Sequence, residues 1–117
     1  MVINVGALKA SNYSLVYDDI LAVVEVSGEN LVKVILETVF LSDKEKIAAS
    51  YISAEAGAAF VKTCTGFSGG RASVADVSLM KKAVVYKGDV KVKASAGIRN
   101  FEICMEMLRA GADRIGT

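Results

Sequence analysis

The chain has 117 residues, the length of one domain, and its 14 Lys+Arg against 13 Asp+Glu leave a net charge of +1, too little for a nucleic-acid field or a polybasic membrane patch. There is no histidine, which excludes Ser-His-Asp triads, Cys-His pairs and the usual zinc sites, and no apolar run reaches the roughly 18–20 residues of a membrane span. Hydrophobic residues make up 53%, above the roughly 45–50% usual for soluble domains, so the chain is expected to bury surface against a further part of a fold or a partner.

Taken in chain order, short Val/Ile-rich runs alternate with helical ones. Met1–Gly6 reads as a strand, with no leader-peptide pattern around it. A helix is expected over Leu15–Val26, carrying Ile20, Val23 and Val24, followed by a strand at Val32–Glu37. Ser42 and Glu45 form a capping box that opens a helix with Ile47, Ala48, Tyr51 and Ile52 as its apolar face and Gly57 at its end. Phe60–Thr63 is the next strand. Ser73 with Asp76 opens a helix that turns Val77, Met80 and Val84 inward. Val90–Ala94 is a strand, Asn100 caps a helix that stops at Gly111, and Asp113–Thr117 is the last strand.

The strand starts recur roughly every 23 to 31 residues, the length of a βα unit. Such alternation implies a parallel sheet with right-handed crossovers. Near-uniform units, with polar residues at the C-terminal ends of nearly all the strands, favour an α/β TIM (β/α)8-barrel type over a doubly wound sheet. Residues 1–117 read as a single domain.

Mid-strand residues of a parallel sheet are normally apolar, since both faces are covered. Lys33 and Glu37, Lys62, and Lys91 and Lys93 break that rule. A period of two puts Lys33, Ile35 and Glu37 on one face, and Phe60, Lys62 and Cys64 on one face of the next strand. If that face is a barrel interior, several amines and one carboxylate converge, with Glu37 holding the cluster together electrostatically. A crowded, buried lysine loses its proton more easily and can attack an aldehyde to form an imine. A lysine in a short strand is otherwise a solvated residue, which is the reading for Lys91.

Gly66, Gly69-Gly70 and Gly97 follow strands and lead toward helices, where backbone N–H groups can cradle an anion; plain turn chemistry is the competing reading. Arg71 and Arg99 could support that anion or sit in solvent. Cys64 and Cys104 read as small buried hydrophobes and imply no disulfide framework, which makes a reduced, cytoplasmic setting the default.

The segments FVKTCTGFSGG (Phe60–Gly70) and VKVKASAGIR (Val90–Arg99), with MVINVGALK, LVKVILET (Leu31–Thr38) and AGADRIGT, resemble the deoxyribose-phosphate aldolase family over essentially the whole chain. The resemblance implies the fourth to eighth strands of a (β/α)8 barrel. It implies Lys62 as the Schiff-base lysine and Lys93 as the second lysine, which tunes the first and joins the proton relay. Thr65, Gly66, Gly97, Ile98 and Gly116 fall where the family contacts substrate and phosphate. The implied reaction is reversible cleavage of 2-deoxy-D-ribose 5-phosphate, a small phosphorylated sugar aldehyde, to acetaldehyde and D-glyceraldehyde 3-phosphate, with no metal or cofactor. The family's relay Asp would immediately precede Met1, and its phosphate-binding serine pair would follow Thr117. Ala96 replaces the first glycine of the phosphate turn. A half-barrel with open edges is expected to self-associate, as a homodimer for example. Two alternatives stand beside this one: a non-catalytic truncated fragment that self-associates, and another lysine aldolase or phosphate-binding barrel acting on a different sugar.

Overall fold

The computed structural model describes all 117 residues. Four strands, β1 (Lys33–Ile35), β2 (Phe60–Lys62), β3 (Lys91–Ser95) and β4 (Arg114–Gly116), form one sheet in the order β1-β2-β3-β4. All pairings are parallel. Spatial order equal to chain order is what a barrel requires; a doubly wound sheet reverses its order partway across.

Five α-helices accompany the strands: α1 (Val5–Lys9), α2 (Tyr13–Val26), α3 (Asp43–Glu55), α4 (Val74–Val84) and α5 (Phe101–Ala110). Each begins where a side chain accepts one of the free N–H groups of the first turn. Asn12 caps α2 and Ser42 caps α3, the latter through the complete capping box with Glu45. Ser73 accepts from the Asp76 N–H at 3.1 Å, and Asn100 from the Ile103 N–H at 2.9 Å. Gly111, in the left-handed region, ends α5.

The sequence predicts a strand over Met1–Gly6, and the structure shortens it. Ile35 donates to the Met1 carbonyl at 2.8 Å and Ile3 donates to the Ile35 carbonyl at 2.9 Å. This adds a fifth parallel segment beside β1, with Val2 bridging Ile35. Asn4 then accepts from the Ala7 N–H at 3.0 Å and starts α1. An Asn N-cap inside an apolar run overrides the strand pattern there.

One side of the sheet meets the helices. Val34, Val61, Val92 and Ala94 are fully buried there, packed with Val16 and Ile20 of α2 and with Val77, Met80 and Val84 of α4. Helix α3 turns Ala49, Ser50, Ser53 and Ala54 inward, whereas Ile47 and Tyr51 stay about half exposed. The expected apolar face of α3 is thus rotated, because small side chains let it pack closely between its neighbours. Tyr51 instead stacks on Tyr86 at 5.2 Å.

Candidate active site

The opposite side of the sheet carries the basic residues. Register pairing sets Lys33 beside Phe60 and Phe60 beside Lys91, and it aligns Ile35, Lys62, Lys93 and Arg114 across all four strands. Residues aligned in a parallel sheet share a face, so these cations project from one surface. Phe60 forms its floor: it is buried, with the Lys33 ammonium 5.5 Å and the Arg114 guanidinium 4.9 Å from its ring centre. The electron-rich ring face holds both cations by cation–π attraction. Lys91, at the N-terminal end of β3, is exposed as expected.

At the C-terminal ends of the strands this surface deepens into a cleft of about 710 Å³, within the size range of small-ligand sites. Lys62 and Lys93 line its base, Thr65, Gly66, Gly97 and Gly116 its walls, and Arg71 and Arg99 its rim. No Asp or Glu lines it, and none of its four cations has an ion-pair partner. Burial pushes the Lys93 ammonium below the ordinary lysine value, and the charges of Lys62, Lys33 and Arg114 push in the same direction.

The turn after β3 is built for close approach. Ala96 and Gly97 both have positive φ, 81° and 76°. A Cβ on Gly97 would lie 2.7 Å from that of Arg71, so glycine is required by space as well as by conformation. The Ala72 N–H donates to the Ala96 carbonyl at 2.9 Å, joining this turn to the loop after β2. Thr63 ties the strand ends beneath: its hydroxyl donates to the Ser95 carbonyl at 2.9 Å and accepts from the Ser95 N–H at 3.0 Å.

Several expected residues play different parts from those read in the sequence. Ile98 is buried in the core and does not line the cleft. Lys33 lies in an adjoining hollow with Lys62, Lys93 and Met1. Glu37 leaves the lysine face: its backbone turns left-handed, and its carboxylate accepts from the Thr65 N–H at 3.0 Å and the Thr65 hydroxyl at 2.7 Å. Glu37 therefore has no electrostatic grip on the amines. Both donors of Thr65 are taken up by Glu37, so Thr65 shapes the wall and has no donor left for a ligand. Cys64 is fully buried with its thiol 3.4 Å from the Thr38 hydroxyl, and Cys104 packs partly buried against the core.

Ser95 was not singled out from the sequence. It is buried, lines the cleft, and its hydroxyl has no hydrogen-bond partner within the chain. Its position two residues beyond Lys93, on the same face, was the signal available.

A scan against protein-family models finds no match. Curated proteins do match. The chain is 58% identical over 116 residues to the deoxyribose-phosphate aldolase of Staphylococcus carnosus, covering 99% of this chain and 52% of that protein. Among solved structures, one assigned to deoxyribose-phosphate aldolase from Coccidioides immitis superposes with a TM-score of 0.94 at 46% identity, covering 100% of this chain and 47% of that one. The tetrameric deoxyribose phosphate aldolase of Aeropyrum pernix gives 0.82 at 34% identity, covering 90% and 45%. No helix of the chain is long and apolar enough to cross a membrane. The fold is that of part of a TIM-barrel aldolase, and the chain is similar to deoxyribose-phosphate aldolases over nearly all of its own residues, spanning about half the length of the curated relatives it matches.

Proposed function

We propose that the cleft is the lysine and phosphate side of a class I aldolase site, acting reversibly on 2-deoxy-D-ribose 5-phosphate. The observation that carries this reading is the register pairing of Lys62 and Lys93 at the base of an all-cationic cleft. In this mechanism the Lys62 amine attacks C1 of the open-chain aldehyde, and loss of water gives the imine. The C2–C3 bond breaks with its electron pair flowing to the iminium nitrogen, while the C3 hydroxyl proton passes to a base. D-Glyceraldehyde 3-phosphate leaves. The enamine takes a proton at C2, and water releases acetaldehyde and the Lys62 amine.

Lys93, already depressed by burial and its cationic neighbours, is the group beside Lys62 that can accept and return a proton. Arg71 and Arg99, with the backbone turns at Gly66 and Gly97, would receive the phosphate. No cofactor enters this scheme. A phosphorylated aldehyde sugar is the expected small-molecule partner, and a cytoplasmic setting suits it.

A second reading has its own observation. No carboxylate lines the cleft, and Glu37 is bound to Thr65, so Lys93 has no carboxylate to share a relay with. This favours a half-barrel that forms no complete catalytic site by itself and associates with other chains.

Borohydride trapping separates the two. The purified chain is incubated with acetaldehyde and reduced, and the adduct is mapped by mass, with Lys62→Ala as control. One ethyl group confined to Lys62 is the expected result; a label confined to Lys93 reassigns the nucleophile. Absent or indiscriminate labelling leaves the second reading standing.

A further inference from the structure

We infer that Glu37 is a positioning residue of the cleft, acting through Thr65 to fix the loop Thr65–Gly70 that faces the phosphate end of the ligand. This rests on the sugar-phosphate reading of the cleft above. The geometry begins with a bulge. Leu36 donates to the Lys62 carbonyl at 2.9 Å, and Thr38 donates to the very next carbonyl, Thr63, at 3.1 Å. Two residues advance along the first chain for one along its neighbour, so Glu37 is the extra residue of a bulge beyond the end of β1.

The bulge is made by a glutamate at φ 56°, ψ 64°. Glycine adopts this conformation freely and other residues at a cost. The side chain accounts for the glutamate. It is buried, and it accepts from both the N–H and the hydroxyl of Thr65. The Thr65 hydroxyl in turn accepts from the Phe67 N–H at 3.1 Å. One carboxylate thereby fixes the first turn of a loop whose later residues, Gly69, Gly70 and Arg71, line the cleft.

The bulge also removes the carboxylate from the lysine face. Regular alternation would set Glu37 on the side of Lys33 and Lys62. A carboxylate there would stabilise charged ammonium groups and oppose formation of a nucleophilic amine. The same backbone turn thus keeps the acid away from the amines and aims it at the loop.

Three measurements on the full chain test this, using Glu37→Gly, which relieves the backbone strain, and Glu37→Gln, which keeps the shape. They are amide exchange at Thr65 and Phe67, calorimetric titration with inorganic phosphate, and acetaldehyde trapping at Lys62. With Glu37→Gly the two amides should lose protection. Phosphate affinity should fall about tenfold, the scale of hydrogen bonds to one charged group, and more than trapping falls. Glu37→Gln should recover part of both losses, since its amide oxygen can still accept from the Thr65 N–H. Unchanged exchange and affinity in Glu37→Gly overturn the inference. So does a wild-type chain that binds no phosphate, or an equal loss of binding and trapping. A wild-type chain that binds phosphate yet traps nothing at Lys62 overturns the aldolase reading alone, and the exchange and phosphate measurements still decide the role of Glu37.

Discussion

Lys62 and Lys93 are register partners on adjacent parallel strands, and neither has a carboxylate partner. Lys62 is one of the charges that lower the Lys93 pKa, after burial. Replacing Lys62 by Met should raise the Lys93 pKa toward the ordinary lysine value. NMR titration of isotopically methylated lysines reads this directly; an unmoved Lys93 would show that burial, Lys33 and Arg114 set its value without Lys62.

The depressed pKa of Lys93 also makes stability depend on pH. The unfolded chain keeps that proton up to the ordinary lysine value of 10.5. Between the lowered folded value and 10.5, the unfolded state binds more protons, so stability rises with pH through this window. The urea midpoint should climb as the pH rises toward 10.5, and the climb should flatten in Lys93→Met.

Gly116 makes room for its neighbours. A Cβ there would collide with the Ser95 hydroxyl and come within 3.0 Å of the Lys93 Cε. Gly116→Ala should cost about 1–3 kcal/mol, as overpacking does, and should alter the Lys93 titration. Urea unfolding and the lysine NMR signals report the two effects. A stable variant with an unchanged Lys93 signal would show that the strand end yields.

Ser95→Ala separates ligand contact from stability. The hydroxyl has no partner in the chain, so its loss should leave stability within about 0.5 kcal/mol. If the hydroxyl meets bound sugar phosphate, the dissociation constant should rise roughly three- to tenfold, the worth of one hydrogen bond. Equal binding in both proteins would remove Ser95 from the ligand site.

Like charge on the open sheet face governs how copies can meet. Lys33, Lys62, Lys91, Lys93 and Arg114 would oppose themselves in a symmetric face-to-face pair. Such a pair should be suppressed at about 20 mM salt and promoted at about 500 mM, where the screening length falls to a few ångströms. Association through strand edges or the helix layer should change little. Sedimentation at the two salt levels distinguishes these contacts.

Much of the architecture follows from local rules visible in the residues. The capping box at Ser42, the inward triplet Val77, Met80 and Val84, and the Gly111 stop all appear as read. The misreadings share one cause: neighbours in space override local periodicity. Alternation places Glu37 with the lysines until a bulge turns it away. Size suggests that Ile47 and Tyr51 face inward, until close helix packing selects alanines and serines. Motif adjacency puts Ile98 beside the ligand, although the turn of Ala96 and Gly97 sends it into the core. Lys62, Lys93, Gly66 and Gly97 meet in one cleft because strand register and strand-end turns, both visible in sequence, place them there. Ser95 carried only the weak signal of its spacing from Lys93.

The packing of the sheet divides labour between its two sides. The helix-facing layer is closed and dry, with Val34, Val61, Val92 and Ala94 at no exposure, while the other side holds the cations and the cleft. Substitutions that change ligand choice can therefore accumulate on the open side without touching the layer that holds the chain together. Stability and chemistry are thus separately mutable in this unit, with alternate positions along each strand answering to the two demands.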